Sequence, residues 1–386
     1  MFSDIIILAG GSGARLWPAS CVNTPKQFLS VDNEKTLFQA ALERAFHLDS
    51  AGSILVVTHQ DFSSRIARDC RELLDRFDES RRRELREKLF ILPEPEAKNT
   101  ASAITLGCIW LFSRSGHRNS TVLVMPCDHI IGDREAFAAD ITLASRLASE
   151  RDGLVFLGIP PNETATAYGY IQSGQEVSFP NSDPCPAGKV FCVQGFKEKP
   201  DKESALQYCE AGNYFWNSGI IGFRGEYLME SLRSYTPAVY DPLISLAETV
   251  ASCGIGSDQG ISTITGWGGL DDIYGKIPAL SISRAVAEKD GAGYTVIAGF
   301  PWADAGNWEV FSRFRQEEIP AADTPSMVAK IDSSDCYVWS DIPVALCGVE
   351  DLIVVIKNGQ ALILRKGHGD KIKELPEHMR NFEAEM

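Results

Sequence analysis

Four branched apolar residues in succession, Ile5-Ile6-Ile7-Leu8, lead directly into Ala9-Gly10-Gly11-Ser12-Gly13. An unbroken run of this kind predicts a strand buried on both faces, the habit of parallel sheets. The glycines after it permit positive φ and let backbone N–H groups approach an anion with no Cβ in the way. Arg15 adds a fork of donors shaped for phosphate oxygens, and Lys26 a compact positive charge. The P-loop pattern GxxxxGK(S/T) is excluded, because Arg15-Leu16 stands where Lys and Ser or Thr are required. The dinucleotide pattern GxGxxG begins at Gly11 and fails at Leu16. A bare Gly-Gly-Ser-Gly is an ordinary strand-to-helix turn; with Arg15, Pro25 and Lys26 attached it reads as an anion loop.

Strand and helix patterns then alternate. Leu37–Phe46, Phe62–Leu89, Asn99–Phe112 and Ala136–Leu147 are expected as helices, and Ile54–Thr58, Phe90–Leu92, Thr121–Met125 and Leu154–Leu157 as strands. This βαβαβ rhythm predicts an α/β, Rossmann-like, mostly parallel sheet flanked by helices, with its ligand crevice at the carboxyl ends of the strands. From Tyr168 the pattern changes. Strands at Tyr168–Gln172, Val190–Lys197 and Ser218–Phe223, mixed with helices at Lys202–Ala211 and Pro242–Ala251, predict an inserted substrate-recognition region on the same sheet. Tyr294–Ile297 returns to strand and Asn307–Phe314 closes as a helix. Residues 319–325, two prolines around small and polar residues, read as a linker. Beyond it, Cys336–Trp339, Val344–Cys347, Leu352–Ile356 and Ala361–Leu364 are short strands without a demonstrable period, and Lys366–Phe382 a polar terminal helix. The expected domains are 1–318 and 326–386.

A net charge of −15 argues against nucleic acid and anionic membrane surfaces as partners. An anionic ligand then depends on the few cations inside a cleft. The basic run Ser80-Arg81-Arg82-Arg83 is no exception, since Glu79/Arg83 and Glu84/Lys88 at i,i+4 make it a solvated helix face. Ten cysteines are scattered without a CxxC pair or zinc-site spacing. No signal peptide is visible at Met1-Phe2-Ser3-Asp4, and no apolar run reaches the ~20 residues that cross a bilayer. A cytoplasmic home with reduced thiols is expected.

Chemistry-bearing residues gather at strand ends. Thr121–Met125 runs into Pro126-Cys127-Asp128-His129, which places Asp128 at the carboxyl edge of the sheet. A carboxylate there suits Mg²⁺, a hard ion often shared with substrate phosphates, or else it caps the next helix. Asp304, in Trp302-Ala303-Asp304-Ala305-Gly306-Asn307, is equally a metal ligand or the N-cap of the helix near Asn307. Asn217 can donate to and accept from a hydroxyl pair. His129 is read as a local hydrogen-bonding residue. No Cys/His/Asn arrangement supports thiol catalysis.

Leu-Trp-Pro after the glycine turn, followed by Pro25-Lys26-Gln27-Phe28, resembles the signature of the sugar nucleotidyltransferases, within them the mannose-1-phosphate guanylyltransferase branch. Further elements match in order: Asn99-Thr100-Ala101, Pro126-Cys127-Asp128-His129, Tyr168-Gly169-Tyr170, Phe196-Lys197-Glu198-Lys199-Pro200, Asn217-Ser218-Gly219 and the Asp304 segment. The resemblance implies that Leu8, Ala9, Gly10, Gly11, Ser12, Gly13, Asn99 and Thr100 contact the nucleotide. It implies that Arg15 and Lys26 steady the triphosphate and that Asp128 and Asp304 hold Mg²⁺. Gly169, Glu198 and Asn217 would contact the sugar, and Lys199 its phosphate. Pro93-Glu94-Pro95-Glu96 resembles the stretch at the nucleobase. Glu94 as acceptor from guanine N1–H and the N2 amino group is chemically sensible, with Glu96 close enough to compete for the part.

The implied reaction joins GTP and mannose 1-phosphate to give GDP-mannose and diphosphate, by attack of the sugar phosphate on the α-phosphorus. The family's tail is a parallel β-helix, which Cys336–Leu364 resembles. Some members carry a fused cupin-type isomerase domain; the chain ends before one, so transferase activity alone is expected. Cys21 stands where the family usually has Arg, Cys127 replaces Ala and Lys98 replaces Arg. Two rivals stay open: a transferase for another sugar 1-phosphate, such as a heptose, or another nucleotide; and a non-catalytic regulatory subunit that binds GDP-mannose. A homo-oligomer is also open, with the apolar tail as the place where copies would meet.

Overall fold

The computed structural model describes residues 1–11, 16–21, 24–30, 34–48, 50, 52–178, 188–318, 328–375 and 378–379. The chain divides into two compact units that interleave along the sequence. One comprises Met1–Gly10, Ala41–Pro126 and Ile131–Trp302, the other Gly11–Ala40, Cys127–Ile130 and Ala303–Met386. The linker expected at 319–325 lies outside the described residues.

The first unit is built on an eleven-stranded sheet. Its strands are β1 (Asp4–Leu8), β2 (Ile54–His59), β3 (Leu89–Glu94), β4 (Thr121–Pro126), β5 (Leu154–Ile159), β6 (Tyr170–Glu176), β7 (Val190–Lys197), β8 (Tyr214–Arg224), β9 (Gly254–Asp258), β10 (Ile261–Thr265) and β11 (Gly293–Ile297). They lie in the order β9-β10-β3-β2-β1-β4-β8-β5-β11-β7-β6. From β10 to β4 neighbours are parallel, as the βαβ rhythm requires. There the sheet changes character: β8 enters antiparallel between β4 and β5, and β7 and β6 follow antiparallel. The sheet is therefore mixed.

Ile5, Ile6 and Ile7 are completely buried in β1, the outcome of apolar side chains on both pleat faces. Helix Asn99–Ser115 is buried over most of its length and shares a core with Ile6, Leu55, Phe90 and Val124. It extends three residues beyond the expected Phe112.

Two helical expectations need correction. Phe62–Leu89 is not one helix but two, Ser63–Leu74 and Glu79–Lys88. Asp78 starts the second, its carboxylate accepting from the Arg81 N–H at 3.0 Å. On that helix Lys88 pairs with Glu84 and Arg83 with Glu87, a solvated face. The helix expected at Pro242–Ala251 begins earlier, at Pro237, and ends at Ile244, with only 3₁₀ turns after it.

His129–Ile131 and Trp302–Asp304 form a separate short strand pair. The second unit contains the helix Trp308–Glu318 and the C-terminal strands. Val328–Ile331 pairs in parallel with Val344–Cys347, and Tyr337–Ser340 with Leu352–Lys357. Val328 meets Val344, Ser334 meets Glu350 and Tyr337 meets Ile353, each pair sixteen residues apart. A constant offset between parallel rungs is the mark of a β-helix-like coil. Gln360–Arg365 then folds back antiparallel on the last rung. The coil packs through Tyr337, Ile353 and Leu364 into one core with Trp308, Phe311, Leu16 and Trp17. The terminal helix expected at Lys366–Phe382 starts later and as a 3₁₀ segment, Gly369–Glu374; Leu375, His378 and Met379 are helical, and residues 376–377 and from 380 onward lie outside the described ones.

Candidate active site

Lys26 opens a 3₁₀ turn, Lys26–Phe28, fixed by Pro25 immediately before it. Its ammonium lies 2.7 Å from Asp128 Oδ2 and 3.0 Å from Asp304 Oδ1. The two carboxylates, far apart in the chain, thus meet at one cation. Asp128 follows the end of β4 and leads into His129–Ile131. The capping role open to it in the sequence falls to Asp133, whose Oδ1 accepts from the Ala136 N–H. The cap open to Asp304 is supplied by Asn307, whose Oδ1 accepts from the Val310 N–H at 2.8 Å. Both aspartates are freed for another task.

Burial works against the Asp128 carboxylate, but Lys26 and then His129 outweigh it and hold its pKa below the ordinary value. His129 Nε2 is 3.7 Å from Asp128 Oδ1. Burial likewise acts against the Lys26 ammonium, and the two carboxylates reverse this and raise its pKa.

A second cluster lies within the first unit. The Gly169 carbonyl accepts from the Asn217 N–H at 2.8 Å. The Asn217 side-chain oxygen accepts from the Gly219 N–H at 3.0 Å. A Cβ on Gly169 would stand 2.9 Å from Glu198 Oε2 and 3.1 Å from the Phe196 ring, so a side chain here would make Glu198 and the ring shift. Glu198 and Lys199 contact each other at 3.4 Å, and the Glu198 N–H donates to Glu288. Lys199 stands at φ +47°, in the left-handed region. Tyr168 packs edge-on against Trp216 and Trp302 beside Asn217. Trp216 is buried and belongs to the core.

The two glutamates in competition separate cleanly. Glu96 is exposed and paired with Lys98 at 3.0 Å. Glu94 is buried at the end of β3 and accepts from the Tyr274 hydroxyl at 2.7 Å. Burial pushes its pKa up to about 7, with the tyrosine bond opposing. Its Oε2 faces Gly10, where a Cβ would lie 4.0 Å away. Tyr274 itself has no sequence signal; it ends a helix of five residues, Leu270–Tyr274, too short to show a period.

The other residues expected at the nucleotide have the following surroundings. The Ala9 N–H donates to Val57 O and its carbonyl accepts from Thr58 Oγ1, so its backbone already has sheet-end partners. Asn99 is exposed at φ +67°, and Thr100 Oγ1 accepts from the Ile282 N–H. Leu8 is half-buried at the strand end, and Gly10 and Gly11 are exposed. Ser12, Gly13 and Arg15 lie outside the described residues.

The α/β sheet of the first unit and, in the second, a lysine held between two aspartates are parts that suit an enzyme handling phosphates. Residues 4–318 match the model of the nucleotidyl transferase family, and the chain belongs to that family. It is 32% identical over 372 residues to the alginate biosynthesis protein AlgA of Pseudomonas fluorescens, covering 96% of this chain and 70% of the relative. It is 29% identical over 376 residues to the mannose-1-phosphate guanylyltransferase of Salmonella montevideo, covering 97% and 73% respectively. Among solved structures it is similar to one from Thermus thermophilus named a mannose-1-phosphate geranyltransferase. That match has a TM-score of 0.76 and 27% identity, over 98% of this chain and 100% of the other.

Proposed function

We propose that the chain transfers a guanylyl group from GTP to mannose 1-phosphate, giving GDP-mannose and diphosphate. The observation that carries this reading is the meeting of Asp128 and Asp304 on the Lys26 ammonium. The name of the Salmonella relative supports both sugar and base, and that of the Thermus structure supports the sugar.

The ammonium stands in for a cation between two hard oxygen donors, so the residues present fit Mg²⁺. Among the described residues no cluster of three or more acidic, His or Cys side chains is suited to a metal. A two-carboxylate seat completed by substrate phosphates and water is the arrangement magnesium favours. Bound there by Asp128 and Asp304, Mg²⁺ would offset charge between two anions that otherwise repel.

The chain's own residues supply the rest. Lys26, once exchanged from the carboxylates, serves the triphosphate together with Arg15. Glu198, Asn217 and the Gly169 backbone orient the mannose, and Lys199 holds the phosphate whose oxygen attacks the α-phosphorus. One phosphoanhydride forms as another breaks, and the attacking oxygen is already ionised, so no side chain must take a proton. Positioning and charge compensation provide the rate. Glu94 reads the base. The domains remain proposed at 1–318 and 326–386. The described cysteines are free thiols, which supports a cytoplasmic site of action.

The test is a matrix of nucleoside triphosphates against hexose and heptose 1-phosphates, following diphosphate release with Mg²⁺ present or chelated. GTP with mannose 1-phosphate should give the highest kcat/KM, abolished by chelation. Preference for another pair replaces the substrate assignment; release from none of them replaces the transferase reading.

A further inference from the structure

Glu94 has its two carboxylate oxygens in different employment. Oε1 accepts from Tyr274, a fully buried residue whose hydroxyl comes within 2.7 Å. Oε2 faces Gly10, on the turn assigned above to the nucleotide. We propose that Tyr274 is a positioning residue for base choice: its hydroxyl pins Glu94 as a hydrogen-bond acceptor facing the glycine turn, which favours a purine offering N–H donors there.

The chemistry follows from what each base presents. Guanine offers N1–H and the N2 amino group side by side, both donors to a carboxylate. Adenine offers an acceptor, N1, at the same place, and lone pair would meet lone pair. Discrimination of this kind requires the carboxyl to stay an acceptor. A buried carboxyl tends to take up a proton and turn donor. Its pKa is already pushed up to about 7 by burial, and the Tyr274 bond is the influence holding it down. Among the described residues, the titratable group acting on Glu94 from the packed elements is this tyrosine. The tyrosine's own pKa is raised far above the ordinary value by burial and by Glu94, so it stays a donor.

This inference rests on the proposed guanylyl transfer, and the experiment separates the two. Wild type, Tyr274→Phe, Glu94→Gln and the double variant are compared for kcat/KM with GTP and ATP, at fixed mannose 1-phosphate, from about pH 6 to 9. Wild-type preference for GTP should rise with pH through about 7. Tyr274→Phe should lower that preference about tenfold, mainly through the KM for GTP, and move the midpoint to higher pH. In the Glu94→Gln background the same change should add little. An unchanged preference and midpoint in Tyr274→Phe, with only a lower melting temperature, overturns the inference and leaves the tyrosine structural. A flat wild-type pH profile overturns it as well. If Glu94→Gln keeps full GTP preference while wild type turns over, the base-reading role fails for both residues and guanylyl transfer stands. If wild type turns over nothing, the proposed function itself has failed.

Discussion

Lys26 Nζ is 2.7 Å from Asp128 Oδ2, and the same ammonium reaches Asp304 Oδ1 at 3.0 Å. A lysine therefore occupies the seat proposed for a divalent ion. Entry of the proposed ion would have to displace the ammonium, which would couple cation binding to the arrival of phosphates that can receive it. At an effective dielectric of about 20, unit charges 4 Å apart interact by about 4 kcal/mol. Removing the lysine charge is thus large against the ~1.4 kcal/mol that makes a tenfold change.

Lys26→Gln is expected to bind Mn²⁺ at least about tenfold more tightly than wild type in the absence of nucleotide, read by electron paramagnetic resonance. The variant should be less stable without metal, since two half-buried carboxylates are left facing each other, and should recover its melting temperature as Mg²⁺ is added. Equal Mn²⁺ affinity in both proteins removes the carboxylate pair from consideration as a cation seat.

Asp128→Asn and Asp304→Asn should each lower Mg²⁺-dependent turnover by two or more orders of magnitude. With both side chains on one cation, as proposed, the double variant should be little worse than either single one. Additive losses, or near wild-type rates in both, separate them from a shared site.

How far the sequence reaches is seen at particular residues. The β1 run is legible because it is short, rich in β-branched residues and closed by glycines, which decides for a buried strand over a buried helix. Asp128 is legible because a strand end before the next element can be counted. Tyr274 is not, since its partner Glu94 is 180 residues away and a five-residue helix leaves no period to read. The hairpin Gly254–Asp258 with Ile261–Thr265 escapes because Gly-Ile-Gly-Ser-Asp has little strand propensity. It is held by pairing to the edge of a long sheet. The sixteen-residue offset in the tail is hidden because paired positions such as Ser334 with Glu350 and Tyr337 with Ile353 share no chemical identity. The break at Asp78, by contrast, was announced by an ordinary N-cap signal that helical periodicity on both sides obscured.

Glu94→Gln tests the buried carboxyl through stability alone. Folding raises its pKa from about 4.5 to about 7. Between those values the folded protein keeps the proton and the unfolded chain has lost it, so stability falls as pH rises across that window. The expected loss is on the order of 3 kcal/mol in wild type, and Gln abolishes it while still accepting from Tyr274. The melting temperature of the variant relative to wild type should therefore rise from about pH 5 to 8. A constant difference across that range means the carboxyl titrates as it does in the unfolded chain.

The turn joining Leu352–Lys357 to Gln360–Arg365 consists of Asn358 and Gly359, at φ +55° and +73°. Two left-handed residues match the right-handed twist of the flanking strands, and Asn and Gly adopt that geometry most cheaply. Asn358 does a second thing: its Nδ2 donates to the Pro18 carbonyl at 2.9 Å, fastening the tail to the segment that follows the glycine turn. Trp308 Nε1, donating to Trp17 O at 2.9 Å, holds the same segment one residue earlier. Two substitutions divide the roles. Asn358→Gly keeps the backbone preference and loses the side-chain bond, a cost of about 1 kcal/mol. Asn358→Ala loses both and should cost about 1 to 2 kcal/mol more, because a Cβ opposes the left-handed conformation. Chemical denaturation of the two variants should place them in that order below wild type. Asn358→Gly matching wild type would show that the bond to Pro18 contributes nothing, and Asn358→Ala matching Asn358→Gly that the turn's handedness places no demand on the residue.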